Sequence, residues 1–303
     1  MFIDHHSSNL SHHPDVETSA KPDIGAIRQS HLDAIPDDAL APKTSTRKGK
    51  WKAHSDQRYY RLPWHLFDSV VELKQTKDAE GPSQVAAYAG FLNQARPDKP
   101  GVYCIYLSPR EYCIVWNDPS GLFSSQPFTW AESNPLAAYV FSLYNPPRDH
   151  IKVDPSITLD ESSDITGPPR WTVNFQGKTY PSCTVLFVGS PWTRQSWVAI
   201  SADSAADGRR IIKDQYHARG RRFDEAGIFD ILQSSGKPAP GCVYVQCHGE
   251  VDGVFTANMA SRRQKRRIVM ETIGIPLYDC PSLFEFLKVM YDALEGADLS
   301  FWT

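Results

Sequence analysis

Apolar residues recur in short blocks between polar turns from about Tyr59 onward, and the blocks predict many short strands with few helices. FDSVVELK (67–74) has a continuous apolar centre and predicts a strand. Pro82 opens a helix on which Val85, Tyr88, Ala89 and Leu92 fall at i, i+3, i+4 and i+7, and Pro97 stops it. VYCIYL (102–107) and YCIVWN (112–117), joined by Ser-Pro-Arg-Glu, predict a hairpin, and Asp118-Pro119-Ser120-Gly121 predicts a turn. A helix follows over 136–143.

The stretch 145–169 is rich in proline and acid, and a domain boundary is expected there. Strands then restart at WTVNF (171–175), TVLFVG (184–189), SWVAIS (196–201) and RRIIKDQ (209–215). RRFDEAGIFDIL (221–232) predicts a helix, CVYVQCHGEV (242–251) and RRIVMETIGI (266–275) two more strands. A last amphipathic helix over 282–294 carries Leu283, Phe286, Leu287, Met290 and Leu294 on one face, with Gly296 as its cap. Residues 1–20, rich in Ser and His (His5, His6, His12, His13), are expected as a disordered tail. Residues 34–58, with their basic run KTSTRKGK, are expected as a solvated linker. The pattern shows no internal repeat.

Composition narrows the class. The 303 residues allow two domains of about 150 each. Eight Trp, 13 Tyr and 14 Phe exclude a wholly disordered chain. A net charge of −3 disfavours a globally basic nucleic-acid binder, so nucleic acid is not the expected partner. No run approaches the ~18 apolar residues of a membrane span, and the N-terminus lacks the charge and apolar blocks of a secretory signal. Six cysteines without a CxxC read as reduced thiols, which places the protein inside the cell, in cytoplasm or nucleus. The Cys247/His248 pair lacks a second ligand pair at zinc-site spacing.

The chemistry of the second half lies in an ordered set. Five antiparallel-type strands with one helix between the third and fourth is the order of a protein-kinase small lobe. Lys213, in IIKD, falls on the third strand, where a kinase holds the nucleotide phosphates. Glu225, 12 residues on, falls on the helix that follows. GSPWTRQSW (189–197) occupies the turn of a phosphate-covering loop, and ETIGIPL (271–277) the adenine-contacting hinge.

With IIKDQ, RRFDEAGIFDIL and RRIVMETIGIPLYDCPSLFEFLKVMYDALEG, residues 171–296 resemble the fungal-type protein kinase family. VVELKQ, QVAAYAGFLNQARP and YCIVWNDPSGLFSSQPFTW are similar to the segment preceding the kinase domain in that family. The resemblance implies ATP-dependent phosphotransfer to protein, with ATP and Mg as cofactors. It implies Gly189, Lys213, Glu225, Glu271 and Ile273 as nucleotide contacts.

The sequence also departs from the pattern. The phosphate loop has only Gly189, and Pro191 offers no N–H. No H-R-D-x-x-x-x-N and no D-F-G segment occurs, so no catalytic residue is assigned. A catalytically incompetent, C-terminally truncated homologue is expected, with the large lobe missing. A protein partner over the hinge and the last helix (Phe286, Met290, Leu294) goes with it.

The first half has a constellation of its own. Glu72 and Lys74 are alternate residues of one strand and so share a face. With Asp23 upstream in Lys21-Pro22-Asp23, they resemble the PD-(D/E)xK nuclease pattern. That resemblance implies Asp23 and Glu72 as Mg²⁺ ligands, Lys74 beside the attacking water, and Gln84 and Tyr88 on the next helix as support. The alternative is an ion pair between Glu72 and Lys74 that only orients a strand end, with Asp23 in a loop.

The expected architecture is therefore α+β. A tail (1–20) precedes a nuclease-like α/β region (21–158), which is followed by a kinase-like small lobe and hinge (165–303). Three further features read as structural. The basic run Arg262–Arg267 is expected as an exposed hairpin loop rather than a nucleic-acid patch. Phe123, Phe128 and Trp130 are expected to pack a hairpin edge rather than stack on bases. Asp118 is expected to serve its turn rather than a metal.

Overall fold

The computed structural model describes residues 2–4, 10, 21–35, 62–75, 81–145, 153–160, 166–202, 208–218, 225–234, 243–271, 274 and 279–291. The chain is mixed α+β, with two seven-stranded sheets.

The first sheet contains β1 (Phe2–Asp4), β2 (Ile24–Ile27), β3 (Phe67–Leu73), β4 (Val102–Leu107), β5 (Glu111–Asp118) and β6 (Gly121–Ser124) in that spatial order, with β7 (Phe128–Thr129) also on β5. Its helices are α1 (Gln29–Asp33), α2 (Gly81–Ala95) and α3 (Ser133–Tyr144). The β3–β4 pair is parallel, because α2 carries the chain back across the sheet, and the other pairs are antiparallel. Pro82 sits in the first turn of α2, where its missing N–H costs nothing.

Strand alternation divides the core in two. Val70, Cys104 and Val115 face Val85, Ala89 and Leu92 of α2, while Val71, Ile105 and Ile114 face Leu136, Tyr139 and Val140 of α3. Burial on both faces explains the continuous apolar run in β3.

The second sheet contains β8 (Ile157–Leu159), β9 (Arg170–Phe175), β10 (Lys178–Val188), β11 (Trp197–Ile200), β12 (Ile211–Ala218), β13 (Val245–Phe255) and β14 (Arg263–Met270). Every pair is antiparallel, in the order β13-β14-β12-β11-β10-β9-β8. Helix α4 (Glu225–Gln233) lies between β12 and β13 in the chain and packs Ala226 and Phe229 on Val245 and Ile268. Gln176 and Gly177 close the β9–β10 hairpin with φ of 48° and 77°, both in the left-handed region that two-residue hairpin turns require. The hairpin tip curls toward β13, where Gln176 Nε2 donates to the His248 carbonyl at 3.0 Å.

Buried ions join the two sheets. Lys265 Nζ meets Asp154 Oδ2 at 2.7 Å and Asp214 Oδ2 at 3.0 Å. Arg267 grips Asp214 through Nε at 2.7 Å and Nη2 at 2.8 Å, and its Nη2 reaches Asp154 at 3.3 Å. None of these four residues is more than 2% exposed. Lys265 also donates to the Pro97 carbonyl at 2.8 Å, and the Asp154 N–H to the Asp98 carbonyl at 2.7 Å. Arg96 continues the chain, holding Asp98 at 2.7 and 2.8 Å and Asp68 on β3 at 3.1 Å. From the β5 turn, Asp118 Oδ2 accepts from the Ala257 N–H at 2.8 Å.

Several expectations change here. The basic run is no exposed loop. Arg263–Arg267 begin β14, and Lys265 and Arg267 point inward because Asp154 and Asp214 neutralise them. Part of the tail is ordered. Phe2–Asp4 take the open edge of β2, and Leu10 is buried in the first core. The boundary stretch supplies β8 and the buried Asp154. The linker run 43–50 and most of the tail, with His5, His6, His12 and His13, lie outside the described residues. Asp118 does serve its turn, accepting from the Ser120 N–H at 2.7 Å. Phe128 and Trp130 pack around the buried Tyr112, each with ring centroids 5.4 Å away, and both Trp130 and Phe123 remain exposed. No described helix is long and apolar enough to cross a membrane.

Burial alone would raise the Asp154 carboxyl, but Lys265 and Arg267 outweigh it and pull it down from 3.8 to about 2. Asp68 and Asp98 are lowered in the same way. Groups lowered on folding stabilise the fold above their unfolded pKa and lose that contribution as acid titrates them. Urea stability should therefore fall between about pH 4 and pH 2. Asp154→Asn should cost about 3–5 kcal/mol at pH 7, since it strands buried cations. A loss well under 1 kcal/mol would show that the network does not hold the sheets.

Candidate functional site

Two polar constellations stand apart from the ion network. The first lies at the end of β3. Ile24 pairs with Val71, so Asp23, the bend residue just before β2, comes opposite Glu72. Asp23 Oδ2 accepts from the Leu73 N–H at 2.7 Å, which sets its carboxyl beside Glu72. Lys74 Nζ meets Glu72 Oε1 at 2.7 Å, while Glu72 Oε2 is buried without a donor. Burial first, and the Asp23 charge after it, push Glu72 above the ordinary glutamate value despite Lys74.

Tyr88 reaches this place from α2. Burial, then the charge of Glu72, raise its phenol, and it contacts the backbone of Lys21. Gln84 stands one turn earlier on the same helical face, with Oε1 buried and lacking a donor. Like charge beside Glu72 is unfavourable, and Lys74 on Glu72 Oε1 partly offsets it.

The second constellation lies on the α4 face of β12. Lys213 Nζ contacts both carboxylate oxygens of Glu225, at 2.7 and 2.8 Å. Gln215 Nε2 adds a third bond to Glu225 Oε2 at 2.9 Å. Burial works to raise Glu225, but these donors overcome it and hold the group below the ordinary value. Lys213 retains 24% side-chain exposure, so an anion can still reach it. Beside it, the register aligns Phe187, Val198, Lys213 and Ile268 in one row across four strands. At the other end of α4, Asp230 accepts from or pairs with His248 Nε2 at 2.8 Å.

The loop between β10 and β11 is anchored to the other half. Gln94 Nε2 donates to the Gly189 carbonyl at 2.9 Å, and Gln195 Nε2 to the Asn93 carbonyl at 2.9 Å. Gly90 of α2 lies under Pro191 and Trp192. A Cβ there would stand 3.0 and 3.2 Å from their ring carbons. Within the loop, the Gly189 N–H already donates to the Ser196 carbonyl at 2.6 Å.

Glu271 follows β14, where its N–H donates to the Tyr244 carbonyl at 3.0 Å and its carboxylate lies 3.6 Å from Arg210. Ile273 lies outside the described residues. Along helical residues 283–291, Leu283, Phe284, Leu287 and Met290 are exposed, Phe286 is half-buried, and Leu294 lies outside the described residues. Among the described residues, no group of three or more His, Cys, Asp or Glu is placed to hold a metal, and the described cysteines are free thiols.

The structure thus brings together Asp23, Glu72, Lys74 and Tyr88, and separately Lys213 with Glu225. Sequence reasoning passed over Gln215, although alternation from Lys213 places it on the same face. Against family models, curated proteins and solved structures, the chain finds no match.

Enlarging Gly90 tests the anchored loop. Gly90→Val should cost about 1–3 kcal/mol through overpacking against Pro191 and Trp192, and should speed hydrogen exchange in residues 189–196. Unchanged stability and exchange would mean that the loop does not depend on α2.

Proposed function

We propose that this stretch carries a kinase-type small lobe of the fungal-type protein kinase family, one that binds nucleotide phosphate without transferring it. The observation that carries the reading is the Lys213–Glu225 pair at 2.7 Å, on the third strand counted from β10, in a sheet of seven strands rather than the expected five, and on the helix that follows it. A kinase uses such a pair to fix the lysine that contacts the phosphates. The apolar row of Phe187 and Val198 beside Lys213 gives a flat base a surface to lie on.

Transfer is another matter. Phosphoryl transfer rests on metal-assisted charge stabilisation and a positioned acceptor. The sequence supplies neither D-F-G nor H-R-D-x-x-x-x-N. Asp214, next to Lys213, faces the opposite side of the sheet and is committed to Arg267 and Lys265. Lys213 would hold ATP phosphates, with Glu271 at the hinge. Mg would have to arrive bound to the nucleotide. Exposed apolar side chains on helix 283–291 support the remaining part of the reading, a protein partner over the hinge and last helix.

Thermal shift tests the nucleotide claim. Millimolar ATP should raise the melting temperature in a concentration-dependent way, and Lys213→Ala should abolish the rise. No rise, or phosphate transfer to protein that Lys213→Ala removes, would overturn the reading.

The paired carboxylates favour a second reading for the first half, a divalent-cation site of the PD-(D/E)xK type. The unpartnered Oε2 of Glu72 beside Asp23 fits a hard cation, with water completing the shell. The cation would supply Lewis acidity, while Lys74 holds Glu72 in place. Calorimetric Mn²⁺ titration should show one site that weakens as acid protonates Glu72 and is lost in Glu72→Ala. DNA cleavage with Mg²⁺ by the intact protein alone would extend this reading to nuclease activity. Equal Mn²⁺ binding by both proteins would contradict it.

A further inference from the structure

Glu225 is the first residue of α4. Its carboxylate has two tasks in a phosphate-binding lobe. It must orient the Lys213 ammonium, and it must stay in place when that ammonium turns toward a phosphate. A carboxylate accepts at about four lone-pair positions. Lys213 reaches both oxygens, and Gln215 donates separately to Oε2 at 2.9 Å.

Lys213, Gln215 and His217 are alternate residues of β12 and share its α4 face. All three act on Glu225, Lys213 and Gln215 by hydrogen bonds and His217 through its charge. They differ in kind. A phosphate competes for the Lys213 ammonium, whereas the Gln215 amide is neutral and only 1% exposed, so an incoming anion neither attracts nor reaches it.

We propose that Gln215 is the positioning residue of this site, holding the Glu225 carboxylate so that Lys213 is shared between Glu225 and a nucleotide phosphate. The proposal rests on the nucleotide-binding reading for its purpose but not for its geometry. Gln215 touches no phosphate. It acts through Glu225, and its loss leaves Lys213 as the one described hydrogen-bond donor to that carboxylate.

The test uses Gln215→Met, which keeps length and removes the donor. Three quantities are read on the full chain: melting temperature, the Glu225 carboxyl titration by carbon-13 NMR without ligand (assigned with Glu225→Gln), and affinity for a fluorescent ATP analogue. The expected result is an upward move of the Glu225 titration and an affinity loss of about tenfold, the order of one lost bond to a charge. The melting temperature should change little.

An unchanged titration overturns the proposal whatever happens to affinity. A moved titration with unchanged affinity overturns it as well. Failure of the unaltered protein to bind the analogue overturns the nucleotide reading instead, while the titration still decides whether Gln215 holds Glu225. Should Gln215→Met not fold, Gln215→Asn, which keeps the amide but shortens its reach, is read in the same way.

Discussion

Two anions and two cations with almost no exposure to water set the terms for this structure: Asp154, Asp214, Lys265 and Arg267. Removing such charges from solvent costs several kcal/mol per ion, and only close pairing offsets it. Each of the four is paired within about 3 Å, as a low-dielectric interior demands. Asp154 comes from the segment between the halves, Asp214 and Arg267 from adjacent strands, and Lys265 reaches over to the Pro97 carbonyl below α2. Pulling the sheets apart would break the bond from the Lys265 ammonium to the Pro97 carbonyl and that from the Asp154 N–H to the Asp98 carbonyl. These bonds tie the balanced ion group to the first half.

Helix α2 converts that union into a relation between sites. Its first turns carry Tyr88 beside the Asp23–Glu72 carboxylates, and its last turns carry Gly90, Asn93 and Gln94 under the 189–196 loop. In the kinase resemblance this loop closes over phosphates. Here the Gly189 N–H is spent on the Ser196 carbonyl within the loop, the Gly189 carbonyl accepts from Gln94 of α2, and Pro191 and Trp192 pack over Gly90. The Gly189 N–H is therefore already committed and is not presented to a phosphate.

The features legible in sequence are those set by neighbours in the chain. VYCIYL coincides with β4 and FDSVVEL with β3, because burial on two faces leaves an unbroken apolar run. The Lys213–Glu225 pair was legible too, since 12 residues separate a strand lysine from the first turn of the following helix. The misread features depend on distant partners. Nothing near Arg262–Arg267 announces that Lys265 meets a carboxylate 111 positions away. Leu10 and the Phe2–Asp4 strand gave no periodic signal, because three residues on a sheet edge are too few for one. Asp23 was named but not placed. Its position follows from the four-residue strand β2, which is also too short to stand out from the Pro22–Arg28 stretch.

The central proposal is a phosphate-holding pair, Lys213 with Glu225, in 303 residues that hold no D-F-G and no H-R-D-x-x-x-x-N segment. Equilibrium dialysis of the intact protein against radiolabelled ATP and, separately, adenosine addresses it directly. The account predicts that ATP is retained more tightly than adenosine and is recovered unhydrolysed. Equal retention of the two, or recovery of ADP with labelled protein, would contradict it.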